Sequence, residues 1–106
     1  MKLLTFIVGT GENRHGDLIS EKDKRIALDK IRAMLASEFG GYTESATLGG
    51  WMNPQGKLVT EQGRKFEVYT YKTENALDCA NTMARLLNQH SVVLSKSDVI
   101  SEFVEQ

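Results

Sequence analysis

The chain's 106 residues are too few for two independently stable cores, so they predict one domain, 1–106, burying roughly 60–65% of its unfolded surface. With 41% apolar and 25% charged residues, the composition excludes disordered and fibrous classes. A formal net charge of −1 excludes a nucleic-acid binder that works by counterion release.

Leu3 to Val8 is a continuous apolar run ending at Gly9, which predicts a central strand covered on at least one face. Residues 9–19 are polar and glycine-rich and form a long loop. Ser20 then caps a helix, with Asp23 three residues on in a near capping box. Ala27, Leu28, Ile31, Met34, Leu35 and Phe39 recur at helical spacing, and Gly40-Gly41 stops the helix. Residues 42–51 read as a strand, and Asn53-Pro54-Gln55-Gly56 as the turn to a long partner strand over 58–72. Within that strand Phe66, Val68 and Thr70 share one face, and Gly63 marks a bulge. Thr73 caps a second helix whose buried stripe is Ala76, Leu77, Ala80, Met83, Ala84 and Leu87. Residues 91–95 form a further strand. The tail 99–104 reads as an edge strand or a short helical turn, and the strand is preferred.

Strand, helix, hairpin, helix, strand is the order of an α+β, ferredoxin-like βαββαβ fold. Its four-stranded antiparallel sheet carries both helices on one face. The other face then exposes residues such as Tyr69 or Tyr71 and one side of the first strand, which predicts a homo-oligomer packed sheet to sheet. Cys79 has no partner for an internal disulfide and reads as a core thiol, in keeping with a reducing cytosol. No run approaches membrane-spanning length and the first apolar stretch is too short for a secretory signal, so the expected location is cytoplasmic, with no membrane partner.

Few residues invite chemistry. The loop from Gly9 to Gly16 lacks the spacing of a dinucleotide or phosphate loop and reads as a flexible connection. Backbone amides at Gly9 and Thr10 remain available to line a small-molecule pocket. His15 and His90 have no second ligand at metal spacing, so no metal site is expected; His90 reads as a surface cation at a helix C-terminus. The hairpin is the richest segment. Antiparallel pairing sets Trp51 opposite residues near 58–61, bringing an aromatic ring and the Glu61 carboxylate into one neighbourhood. Gly49 and Gly50 clear room for something to approach the backbone.

At this segment the chain resembles the small S-adenosylmethionine lyases of bacterial viruses, once described as hydrolases. The resemblance runs through Phe6-Ile7-Val8, the first helix, Glu44 to Trp51, Thr60-Glu61-Gln62, Arg64 to Tyr71, Ala76 to Leu87 and Ser91 to Ser97. The motifs are short, and their order and spacing across nearly the full length carry the likeness. A family of uncharacterised bacterial domains shares the Gly-x-Trp followed ten residues on by Glu. The resemblance implies a ferredoxin-like homotrimer with active sites between subunits. The implied activity cleaves S-adenosylmethionine to 5′-methylthioadenosine and L-homoserine lactone without cofactor or metal, lowering the substrate in an infected host's cytoplasm as an anti-restriction device. The family's glutamate matches Glu61, with Gln62 as the alternative alignment, and Gly50 and Trp51 fall among the substrate-binding positions. The family's hairpin tyrosine is replaced by Trp51, which leaves open whether Tyr42, Tyr69 or Tyr71 takes that role or none does. Two rival classes share the fold: a non-catalytic small-molecule binder and a domain that blocks a host factor.

Overall fold

The computed structural model describes residues 1–105. The chain runs β1 (Lys2–Gly9), α1 (Glu21–Phe39), β2 (Thr43–Met52), β3 (Leu58–Thr70), α2 (Ala76–Leu86) and β4 (Val93–Asp98). The strands form one sheet in the order β2-β3-β1-β4 with every neighbouring pair antiparallel. This is the ferredoxin-like arrangement that the element order predicts.

The apolar run of β1 lies in the middle of the sheet, paired with β3 on one side and β4 on the other. Leu4, Phe6 and Val8 are wholly buried beneath the helices, while Leu3, Thr5 and Ile7 are half-buried on the opposite face. Phe66 and Val68 of β3 extend the same layer, and Ala27, Leu28, Ile31 and Leu35 of α1 close over it with Ala76, Cys79, Ala80 and Met83 of α2. Each large side chain so buried contributes about 1.5–3 kcal/mol. Burial also pushes the Cys79 thiol up, so the chain's one cysteine sits in the core as a neutral, inert group.

Local signals set the element ends. The Ser20 side chain accepts a hydrogen bond from the Asp23 amide at 3.1 Å and caps α1, and Gly40 ends it in the left-handed region at φ 85°. In the β2–β3 turn Asn53 Oδ1 accepts from the amides of Gln55 and Lys57, and Gly56 takes φ 77°. An ion cluster joins α1 to the sheet. Arg32 grips Glu44 of β2 with Nε and a terminal nitrogen, at 2.7 and 2.9 Å, and Arg64 of β3 approaches the same carboxylate at 3.3 Å. Arg32's hydrogen bonds hold the Glu44 carboxyl below its ordinary range against the opposing pull of burial.

Details depart from the sequence reading, among them β4, which runs Val93–Asp98 rather than over 91–95. Gly63 is no bulge: the β2–β3 register runs unbroken from Thr43↔Glu67 to Met52↔Leu58. It is glycine because a methyl group there would come within 2.8 Å of both the Val8 carbonyl oxygen and Thr47 Oγ1. The second helix starts at Ala76 rather than after Thr73; Asn75 precedes it without a side-chain cap and donates its Nδ2 to Glu38 at 2.7 Å. Leu77 is 62% exposed, and Cys79 takes the buried place on that helix. Residues 99–104, read as an edge strand, form none; one bond from the Val99 amide to the Met1 carbonyl ends the pairing.

Candidate functional site

Pairing of β1 with β3 ends at Gly9↔Gly63, whereas β2 and β3 stay paired as far as Met52↔Leu58. The hairpin therefore leaves the sheet as a two-stranded arm, and the molecule is elongated, 50 × 29 × 27 Å. Leu48, Trp51, Met52 and Leu58 on this arm are all more than half exposed. Glu61 sits at its root, two residues past the last pair with β1 and directly opposite Gly49. Trp51 pairs with Val59, so ring and carboxylate lie two rungs apart on the same face of one ribbon.

The loop between β1 and α1 faces the arm. A small antiparallel bridge, Glu12↔Leu18, and the Asn13 side chain, which accepts from the amides of His15 and Asp17, give this loop a defined shape. Further bonds tie it down: Thr10 N to Gln62 O (3.0 Å), Ile19 N to Gly11 O (2.9 Å) and Arg14 N to Asn88 O (2.7 Å). Between loop and arm lies an open cleft of about 530 Å³, within the size range of small-molecule sites. Its walls carry Glu61, Trp51 and Gln62 from the arm, Glu12 and Arg14 from the loop, and His90 from the segment after α2. Arg14 forms no ion pair among the described residues.

A second, smaller cleft of about 370 Å³ adjoins it on the open face of the sheet, and Glu61 and Gln62 belong to both. Gly9 lines this second cleft. A side chain at Gly9 would collide with the Glu61 carboxylate, so the glycine is the floor over which that carboxylate rests. Glutamate, tryptophan, a cationic side chain and an imidazole around one cleft can bind a cationic or zwitterionic molecule with a flat ring.

The structure thus brings Glu61, Trp51 and Gln62 together at one cleft, with Gly9 beneath the carboxylate. Thr10 is buried, its amide is engaged by Gln62, and it lines a separate polar groove beside Lys24 and Arg64. Gly50, opposite Thr60, packs near Leu58 rather than on the cleft wall. None of the three tyrosines lines this cleft. Tyr42 packs edge-on against Phe66 at 5.8 Å, Tyr71 stands exposed past the end of β3, and Tyr69 is eight residues along β3 from Glu61, about 26 Å away.

Sequence reasoning missed Arg14, Gln89 and a cleft position for His90. Leu87 ends α2, Asn88 turns the chain at φ 50°, and His90 reaches the cleft wall instead of continuing a helix face. Asparagine after the last apolar residue of the stripe is the signal that marks such a turn.

No protein-family model and no curated protein matches the chain. Among solved structures it is similar to a phage SAM lyase in complex with S-methyl-5′-thioadenosine. That match has a TM-score of 0.65 and 16% identity, covering 92% of this chain and 80% of that one. It is also similar to a DUF3240 family protein from Shewanella baltica, with a TM-score of 0.55 and 6% identity, covering 99% and 97% of the two chains. At these identities the likeness is one of fold.

Proposed function

We propose that the chain is an S-adenosylmethionine lyase that releases 5′-methylthioadenosine and L-homoserine lactone. The observation that carries the reading is the Glu61 carboxylate, held over Gly9 at a cleft shared with Trp51, on a fold like that of a phage SAM lyase bound to S-methyl-5′-thioadenosine. The reaction asks little of the protein. The substrate's carboxylate oxygen attacks its own γ-carbon, the carbon–sulfur bond breaks, and its electron pair stays on sulfur as a neutral thioether. No proton moves and no water enters. Opposite charges vanish on the way to the transition state, so excluding water from the site lowers the barrier. Holding the chain folded for attack adds the advantage of an intramolecular reaction. Glu61 holds the cationic substrate by charge, and Trp51 presents its ring to the sulfonium.

In a single chain the cleft is open, with Trp51 53% exposed. Covering it requires another surface. The exposed Leu48, Trp51, Met52 and Leu58 of the arm support assembly into a homotrimer in which a neighbouring copy closes the site.

Purified protein and S-adenosylmethionine, with no added metal, will yield methylthioadenosine and lactone by mass detection at early times, and Glu61→Gln will release neither. Activity retained in that variant rejects the assignment. The openness of the cleft favours one second reading, a non-catalytic binder of a small cationic molecule. It predicts a ligand-dependent rise in melting temperature without product.

A further inference from the structure

Gln89 lies just past the αL turn at Asn88. Its Nε2 donates to the Glu12 carbonyl at 2.7 Å and to the Leu87 carbonyl at 3.3 Å. Both partners are acceptors only, so the nitrogen must face them and the amide cannot be turned round. The orientation of Oε1 follows: it lies 3.5 Å from the point that a Cβ on Gly9 would occupy. The Glu61 carboxylate rests over that same point. A carboxylate oxygen of Glu61 therefore fills that point and the amide oxygen of Gln89 lies beside it, two acceptors at the end of β1. Among the described residues no N–H or O–H of the chain donates to either.

We infer that Glu61 and the Gln89 amide oxygen form a paired acceptor seat for a primary ammonium group, the α-ammonium of an amino-acid-bearing nucleoside. The inference rests on the reading of the cleft given above and says which end of the substrate meets Glu61. A sulfonium has no hydrogen to donate and gains nothing from a fixed amide oxygen. An ammonium has three donors and is held by directional, charge-assisted bonds. Gln89 is then a residue that reads the amino-acid end of the ligand, while the adenosyl end extends along the cleft towards Trp51.

The test is Gln89→Met, which keeps length and removes the acceptor. The loop keeps its own anchors, Thr10 to Gln62, Arg14 to Asn88 and Ile19 to Gly11, so its place does not hang on Gln89. Calorimetric binding is measured with S-adenosylhomocysteine, which carries the ammonium, and with methylthioadenosine, which lacks it. The variant should bind S-adenosylhomocysteine roughly tenfold more weakly, the range for a hydrogen bond to a charged group, and bind methylthioadenosine within twofold of wild type. Its KM for S-adenosylmethionine should rise in step. Unchanged S-adenosylhomocysteine affinity, or parallel loss of both ligands, overturns the inference while leaving a cleaving wild-type enzyme intact. Wild-type protein that binds neither ligand and forms no product overturns the reading of the cleft, and the seat with it. Should the methionine variant not fold, Gln89→Asn, which draws the acceptor back by one methylene, must show the same split between the two ligands.

Discussion

Gly9→Ala separates what the glycine does for the fold from what it does for the site. A methyl group there would take the space of Glu61 Oε1 and lie 3.0 Å from its Cδ. The atoms it meets are the end of a flexible side chain, and Gly9 is not in the left-handed region, so the backbone accepts alanine without strain. Stability should therefore change by less than about 1 kcal/mol, because a strand alanine costs the unfolded chain entropy and the folded chain little. Binding is another matter. The displaced carboxylate gives up a charge-assisted hydrogen bond to the ligand, about 1.5–3 kcal/mol, which weakens binding roughly 10- to 150-fold. The assay pairs calorimetric titration of S-adenosylhomocysteine with thermal unfolding. Gly41→Ala is the control, since nothing lies within 4 Å of its added methyl group. Wild-type affinity in Gly9→Ala would show that the carboxylate does not act from its seat over the strand. A collapse of the melting temperature would show that more than a side-chain end had been displaced.

At Gly63 the opposite pattern is expected. An added methyl group meets the Val8 carbonyl of the central strand at 2.8 Å, so Gly63→Ala should cost about 1–3 kcal/mol, read as a lower urea midpoint at unchanged slope; wild-type stability would refute the contact. Glu44 supplies a pH dependence. Its folded carboxyl lies below the ordinary 4.5, so its stabilisation is fully present above that value and is lost as pH falls below it. The urea midpoint of wild type should drop more steeply between about pH 5 and 3 than that of Glu44→Gln, and equal slopes would remove Arg32's hold as the cause.

The layout was legible wherever one local rule decided it. The alternation of Leu4, Phe6 and Val8, the Ser20 cap, the Gly40 stop and the Asn53 turn each act within a few residues, and together they leave one sheet order. What escaped depends on contacts between distant segments. Gly63 looks like a bulge in isolation and is a close approach only once Val8 and Thr47 lie beside it. The bond from Asn75 to Glu38 of another helix is equally invisible to local rules. The β2–β3 rungs that bring Trp51 and Glu61 together follow from turn and register, so that pairing was readable. The roles of Gln89 and His90 were not, because periodicity does not register the single positive φ at Asn88 that turns the chain there and brings His90 to the cleft.

The arm gives the molecule two regimes of hydrogen exchange. Amides of Arg64 and Phe66 belong to a stretch of β3 flanked on both sides and should exchange only on deep opening. Those of Leu58 to Thr60 have one neighbour and should fray on their own, at far lower cost. Glu61 stands on the boundary between them. Whatever clamps the arm, a small molecule or a neighbouring copy, will register as slowed exchange spreading outward from that residue, with no change in the strand's buried half.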